Sequence, residues 1–335
     1  MNLESSKSEK RFVREKKVVV KEVPKIKEND TDFFDAVVRE AKKSKDDFLI
    51  PTDENEPLLQ VKRFIPMHPE FQRLIDAPGI PCGLITEIYG APDSGKTTFC
   101  TEILKQVQLD GGIPILLLSE LKYDLPRAKD IGVNVNKLLI RRPRTIEEVR
   151  EHIHDIVTLI AKVKSDRPVC IVWDSLGATP CENELNEKRG DFAADSAKAI
   201  TSVLRKTQAM IRDHNIAFVM INQISTKIGV SFGKKTQAKG GFSPKFYSAL
   251  RMEFVKVGRV RMSGEKSGDD FTGITTKIEV EKNHLGQPFR TLEVSIDYKG
   301  FVFDRSVERK EFKDESGKIV HTEKKKRAAA ERDDG

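Results

Sequence analysis

The sequence predicts an α/β fold with a mostly parallel central sheet, antiparallel strands towards the C-terminal end and a helical extension at the N-terminal end. Three observations carry this. From about residue 58, short apolar runs alternate with amphipathic stretches of helical period, the pattern of parallel strands joined by helical crossovers. After residue 248 apolar and polar residues alternate one by one, as in antiparallel strands with one covered face. Between the first strand of the parallel set and the helix after it stands Gly90-Ala91-Pro92-Asp93-Ser94-Gly95-Lys96-Thr97, which fits G-x-x-x-x-G-K-[ST].

The elements follow in order. Residues 1–30 are a charged, weakly hydrophobic stretch expected to be a flexible basic arm. Residues 31–57 hold a helix over 31–43 and a linker. Phe33, Phe34, Val37, Val38 and Ala41 share one face of that helix, and Thr31 is its expected N-cap. An apolar stripe on a tether has to be buried somewhere, and docking on a neighbouring subunit is the expected use. Residues 58–305 form the core. Strands are expected at Ile85–Tyr89, Ile115–Leu118, Val169–Trp173 and Ala217–Ile221, with helices at Thr97–Leu109, Ile146–Val163 and Ala193–His214. Antiparallel strands are expected at Ala249–Val257, Gly273–Glu281 and Thr291–Tyr298. Residues 306–335 read as a charged tail with a Lys324-Lys325-Lys326-Arg327 run.

The composition bounds the function. A chain of 335 residues suits one large α/β domain with extensions. Charged residues make up 33% and hydrophobic residues 38%, so part of the length is expected outside a core. No apolar run approaches the roughly 18 residues of a membrane span, and the first residues lack the apolar centre of a secretory signal. Cys82, Cys100, Cys170 and Cys181 form no Cys-x-x-Cys pair, so neither a disulfide frame nor a zinc site is expected. A cytoplasmic location with no membrane partner is the expectation. The net charge is +7, and residues 1–28 carry nine Lys/Arg against five Asp/Glu, an arm suited to polyanions.

The glycine-bounded segment has a physical reading. Glycines at positions 90 and 95 let backbone N–H groups turn inward around phosphate oxygens, and the helix that follows adds its N-terminal partial positive charge. Asp93, Ser94 and Thr98 complete the cradle. Lys96 is expected to reach the β- and γ-phosphates of ATP, and Thr97 to offer its hydroxyl to Mg²⁺. A partner carboxylate belongs at the end of a neighbouring strand, where Asp174 follows Val169–Trp173. Glu120 follows Ile115–Leu118 and is placed to orient and deprotonate an attacking water. The strand Ala217–Ile221 ends in Asn222-Gln223, two amides that need polar partners. Gln223 is the expected sensor of a γ-phosphate.

Directly after it, residues 224–247 carry five lysines and no acid, with glycines and aromatic residues interspersed. A long loop of this kind inside a compact domain is usually functional. Ser225, Thr226, Lys227, Gly229, Phe232, Lys234, Lys235, Lys239, Gly240 and Gly241 are its candidate DNA contacts, through backbone amides, ammonium groups and an aromatic wedge.

These residues resemble the RecA family of DNA strand-exchange ATPases over about 58–300. The most specific pieces are Glu87-Ile88-Tyr89-Gly90, Trp173-Asp174-Ser175, Ile221-Asn222-Gln223-Ile224, Lys227-Ile228-Gly229-Val230, Gly240-Gly241, Lys245-Phe246-Tyr247 and Glu281-Lys282-Asn283. The resemblance implies a RecA-type phosphate-loop ATPase core that binds single- and double-stranded DNA and stacks into a helical homo-oligomeric filament. It implies loader and single-strand-binding partners as well. It implies that residues 181–192 are a first DNA-binding loop and 224–241 a second. Lys282 is implied to cross a subunit interface to the neighbour's γ-phosphate, with His284 where a second such lysine stands in bacterial members. Asp124 is implied near adenine, and Arg127 replaces a tyrosine there and is expected to stack on the base. The missing C-terminal domain and the unlike first 57 residues point to a divergent or phage-type (UvsX-like) member. Two other readings stay open within the superfamily: a regulator or paralogue without strand exchange, and a hexameric helicase motor. A non-enzymatic basic DNA-binding protein is a third.

Overall fold

The computed structural model describes Asp35 and Val37, residues 61–120, 122–163, 166–186, 191–226, 236–260 and 272–303, and two short strands beyond. The chain divides into two compact units, Met1–Glu56 and Pro57–Gly335. Of the helix expected over 31–43, Asp35 and Val37 are described, and both are helical and exposed. The rest of that helix, the arm over 1–30 and most of the tail lie outside the described residues. Within 306–335, the stretch read as a charged tail, Phe312–Lys313 pairs antiparallel with Ile319–Val320. Phe312, Ile319 and Val320 are residue types that favour extended backbone.

Before that pair, the strands described in the second unit are β1 (Phe64–Pro66), β2 (Gly79–Pro81), β3 (Ile85–Gly90), β4 (Ile113–Leu118), β5 (Leu139–Arg141), β6 (Val169–Asp174), β7 (Ile216–Thr226), β8 (Thr236–Ala238), β9 (Leu250–Val260), β10 (Gly273–Asn283), β11 (Thr291–Asp297) and β12 (Gly300–Val302). Strands β1 and β2 pair antiparallel on their own. The others form a ten-stranded sheet in the order β12-β11-β10-β9-β3-β7-β6-β4-β5, with β8 paired to β7. Neighbours from β9 through β3, β7, β6 and β4 to β5 run parallel. Strands β9 to β12 run antiparallel to one another.

The central strands are apolar throughout because both faces are covered. Alternate residues go to opposite cores. Ile88, Leu116, Val172 and Val219 meet Phe99, Ile103 and Leu104 of the helix Lys96–Leu109. Leu117, Ile171, Trp173 and Phe218 face the other way, against Val149 and Ile153 of Ile146–Val163 and Val203 and Leu204 of Phe192–Asp213. Both layers place the carboxyl ends of β3, β4, β6 and β7 side by side, where ligands of open α/β sheets sit.

Three expected elements differ in extent. Strand β7 continues to Thr226 because β8 pairs with Ile224, Ser225 and Thr226. The stretch expected as loop therefore begins and ends as a ladder. The first loop, expected over 181–192, contains a helical turn at Glu182–Leu185, and Asp191 caps the next helix by accepting from the N–H groups of Ala193 and Ala194. Residues 187–190 and 227–235 lie outside the described residues.

Candidate functional site

The phosphate loop leaves β3 at Gly90 and enters the helix Lys96–Leu109 at Gly95. A side chain at Gly90 would sit 2.1 Å from the carbonyl oxygen of Phe254 on β9, so the close approach of strand and loop requires glycine. Gly95 has φ +92°, a left-handed conformation that L side chains rarely adopt, and a Cβ there would meet Ile296 at 2.3 Å. Asp93 is held at φ 55° between them. Ser94 is fully buried; its hydroxyl donates to the Ala91 carbonyl at 2.8 Å, and its own carbonyl accepts from Thr276 Oγ1 at 2.7 Å. Lys96 Nζ donates to the same Ala91 carbonyl at 2.6 Å. Burial pulls this ammonium below the usual lysine range, and the carboxylates of Asp174, Glu120 and Asp93 oppose that.

Two carboxylates face this loop. Asp174, buried at the end of β6, accepts from Thr97 Oγ1 at 3.2 Å. Burial, and then the Glu120 charge, push its carboxyl up to about 6. The N–H groups of Ser119 and Glu120 donate to the Asp174 carbonyl at 2.8 and 3.3 Å, which fixes the end of β4 beside the end of β6. Glu120 Oε1 accepts from the Ser175 hydroxyl and, at 2.7 Å, from Gln223 Nε2. Lys96, Thr97, Glu120, Asp174 and Gln223 are thus brought together from four strand ends. Among the described residues no cluster of three or more His, Cys, Asp or Glu side chains stands ready for a metal. The hydroxyl of Thr97 and the carboxylate of Asp174 fit a hard cation such as Mg²⁺, which takes few protein oxygens and completes its shell with substrate phosphates and water.

Asn222 and Gln223 part company. Asn222 is fully buried; its Nδ2 donates to Glu87 Oε1 and to the Lys239 carbonyl, both at 2.8 Å, and its Oδ1 accepts from the N–H of Gln223 at 2.9 Å. The Lys239 N–H donates to the Gln223 carbonyl at 2.9 Å. Both legs of the basic segment are therefore tied to carboxylates, one through Gln223 to Glu120 and the other through Asn222 to Glu87. Lys239, an expected DNA contact, is exposed and donates from Nζ to the Gly177 carbonyl at 3.3 Å. Gly240 and Gly241 form the turn into the short helix Ser243–Tyr247. Ser225 and Thr226 lie on β7, while Lys227, Gly229, Phe232, Lys234 and Lys235 lie outside the described residues.

Asp93, Ser94, Gly95, Lys96, Thr97 and Thr98 line one end of a cleft of about 390 Å³, and Arg127 and Tyr298 line it as well. Asp124, expected at the base, is not among the lining residues. It caps the helix Leu125–Ile131, its Oδ1 accepting from the N–H of Arg127 at 2.9 Å. Lys282 and His284 do not line this cleft either. Lys282 Nζ donates to the carbonyls of Lys245 and Phe246 at 3.0 and 3.1 Å, and His284 is exposed. Burial, followed by repulsion from Lys245 and Arg251, lowers the Lys282 ammonium.

Sequence reasoning gave no role to Glu87, Arg251 and Glu281. Arg251 bridges the carboxylates of buried Glu87 and half-buried Glu281 and lies 4.0 Å from the centre of the Tyr89 ring. Tyr89 donates to Glu281 Oε2 at 2.8 Å, and Lys245 pairs with Glu281 Oε1 at 3.3 Å. The available signal was a carboxylate inside an otherwise apolar strand, Thr86-Glu87-Ile88, which demands a buried partner.

A parallel sheet whose first central strand feeds a glycine-bounded loop, with a lysine and a threonine facing a strand-end aspartate, defines a phosphate-loop α/β protein. The family model described as the RecA N-terminal domain matches residues 69–302, well over half of the chain, and the chain belongs to the RecA family. It is similar to Protein RecA of Methylococcus capsulatus, 37% identical over 221 residues, covering 66% of this chain and 60% of that protein. It is likewise similar to Protein RecA of Bdellovibrio bacteriovorus, 36% identical, covering 66% and 56%. Protein RecA of Thermus aquaticus is 37% identical, covering 65% and 62%. The match spans less than two thirds of the length of these relatives. No helix among the described residues is long and apolar enough to cross a membrane.

Proposed function

We propose that this chain is a DNA-dependent ATPase and recombinase of divergent or phage type. It assembles head to tail on single-stranded DNA and exchanges that strand with a homologous duplex. The observation that carries the reading is the hydrogen bond from Gln223 to Glu120. It joins the carboxylate beside the phosphate loop to the first residue before the basic segment, so an event at one is felt at the other.

The residues divide the work. The backbone of 91–95 and the Lys96 ammonium bind the triphosphate and neutralise charge on the transferred group. Thr97 and Asp174 would hold Mg²⁺, which would supply positive charge to the phosphates. Glu120 accepts a proton from the attacking water. The new P–O bond forms as the bond from the γ-phosphorus to the bridging oxygen breaks, leaving ADP and phosphate. Ser175 and Gln223 orient Glu120 through its Oε1. A γ-phosphate offers Gln223 a second acceptor, and the exchange of partners moves the start of the 224–241 segment against DNA. Lys282 and His284, which do not line this chain's own cleft, act on a neighbouring subunit's nucleotide. The stripe on 31–43 docks subunits, and the arm over 1–30 adds charge for DNA. Loader and single-strand-binding proteins are expected partners, in the cytoplasm of a bacterium or of a phage-infected host.

The test is joint-molecule formation between single-stranded DNA and a homologous duplex with ATP. The wild type is expected to form joints, Lys96→Ala to form none, and Glu120→Gln to bind ATP while turning it over at least about a hundredfold more slowly. ATP hydrolysis without joint molecules would overturn the recombinase reading in favour of a regulator or a ring-shaped motor.

A further inference from the structure

Both donors that hold the Glu120 carboxylate reach the same oxygen. Oε1 accepts from the Ser175 hydroxyl and from Gln223 Nε2, and Oε2 accepts from no side chain among the described residues. Oε2 is therefore the oxygen left to face a water. A γ-phosphate competes with Glu120 for Gln223. Ser175 is buried directly after β6 and stays with the carboxylate. Once a triphosphate is in place, the aim of Glu120 depends on Ser175.

Ser175 is in turn held by a hydroxyl that does not touch Glu120. Thr179 Oγ1 accepts from Trp173 Nε1 at 3.0 Å and hydrogen-bonds to Ser119 Oγ and to the Ser175 carbonyl, each at 2.8 Å. A hydroxyl has one hydrogen and two lone pairs. The carbonyl can only accept, so the Thr179 hydrogen goes to it, and Ser119 supplies the hydrogen between the two hydroxyls. One oxygen thus uses its whole bonding capacity. The turn at Leu176–Ala178 needs only the bond to the Ser175 carbonyl. The other two bonds reach Ser119, after β4, and Trp173, on β6. Thr179 therefore joins the residue before Glu120 to the residue that donates to Glu120, and anchors both on a fully buried indole. Trp173, Ser175 and Thr179 are all buried, so water does not readily replace a partner that is removed. Thr179 does not line the cleft.

We infer that Thr179 is a positioning residue for Glu120: it holds Ser119 and Ser175 so that Oε2 stays aimed at the attacking water when Gln223 turns to the γ-phosphate. The inference rests on the reading of Glu120 as the base and adds the group that keeps it in place.

The experiment is steady-state ATP hydrolysis by the full chain with Mg²⁺ and single-stranded DNA. Thr179→Val keeps the shape and removes the hydroxyl. It is expected to lower kcat about tenfold while KM for ATP stays within about twofold, because Lys96, Thr97 and Asp174 are untouched. Thr179→Ser restores the hydroxyl and is expected to return kcat to within about threefold of the wild type. Added to Glu120→Gln, Thr179→Val is expected to cost less than about twofold more, since the group it positions is already gone; a loss of packing alone would add in full. If Thr179→Val fails to fold, Ser119→Ala takes its place, removing one half-buried partner, with kcat expected to fall about threefold at unchanged KM. A wild-type kcat in folded Thr179→Val, or in Ser119→Ala where that variant stands in, overturns the role of Thr179. So does Thr179→Ser as slow as Thr179→Val, or a full tenfold further loss on top of Glu120→Gln. Undiminished hydrolysis by Glu120→Gln overturns the reading of Glu120 as the base, an inactive wild type overturns the ATPase reading, and the inference falls with either.

Discussion

Replacing Asn222 by alanine deletes one buried side chain and three hydrogen bonds: to Glu87, to the Lys239 carbonyl and from the Gln223 N–H. The bond to Glu87 has a charged acceptor in a buried site and contributes about 1.5–3 kcal/mol. Each of the other two contributes about 0.5–1 kcal/mol, because water reaches the part-buried backbone groups that remain. Glu87 keeps Arg251, so its charge is not orphaned. A loss of about 3 kcal/mol is expected, roughly a hundredfold in the ratio of folded to unfolded chain. In urea that is a midpoint lower by about 1 M if the denaturant slope is about 3 kcal/mol/M. Asn222→Asp keeps the shape but sets a carboxylate against Glu87, so it is expected to be at least as damaging at neutral pH. Part of that damage is expected to be relieved as pH falls and one of the two carboxylates takes a proton. The reasoning is refuted if both variants unfold within about 0.5 kcal/mol of the wild type.

Other outcomes follow from the same site. Gln223→Ala is expected to bind ATP normally yet lose about ten- to a hundredfold of the ATP-induced gain in single-stranded DNA affinity, the worth of one hydrogen bond to a charged partner. The check is DNA binding at fixed salt with and without a non-hydrolysable analogue; a full wild-type difference would remove Gln223 from the coupling. Lys282→Ala is expected to lower DNA-dependent hydrolysis, and mixing it with Lys96→Ala protein to restore part of it, since some interfaces then join an intact Lys96 to an intact Lys282. No recovery in the mixture would place Lys282 in its own subunit's structure. All four cysteines are buried, and burial pushes the Cys82 thiol up to about 12 and the Cys100 thiol well above its ordinary value. The native chain is therefore expected to react with a thiol reagent at pH 8 far more slowly than the urea-unfolded chain, which should titrate four; rapid labelling of the native chain would contradict the packing around them.

The phosphate loop was legible in sequence because its requirements are local. Two glycines, a lysine and a threonine at fixed spacing suffice, and the apolar strand before them is unambiguous. Asp174 and Glu120 were legible for the same reason, as the first carboxylates after buried strands. What stayed hidden depends on pairs far apart in the chain. Glu87 and Arg251 are separated by 164 positions, and nothing in the spacing of either announces the other. Strand β8 was hidden because Thr236-Gln237-Ala238 is too short to show alternation, and its ladder with β7 supplies the order its own sequence lacks. Asp124 was placed near the base by the family resemblance alone, whereas Asp124-Leu125-Pro126 is also a strong start for a helix, and the helix uses the carboxylate. Arg127 was expected to stack on a base, and the carbonyls that pin it belong to residues 297 and 298, beyond the reach of any local pattern.

The cleft draws its two walls from opposite ends of the core, residues 93–98 on one side and 296–298 on the other. A ribosome making this chain finishes the phosphate loop about 200 residues before it finishes the wall that faces it. At roughly 5–20 residues per second this interval is about 10–40 s. Until residues 250–260 are added, which takes up most of it, β3 has no β9 alongside it, and Gly90 has no Phe254 carbonyl to rest against. The wall at 296–298 is therefore the last part of the site to be made, after the phosphate loop, Glu120, Asp174 and Gln223 have all left the ribosome.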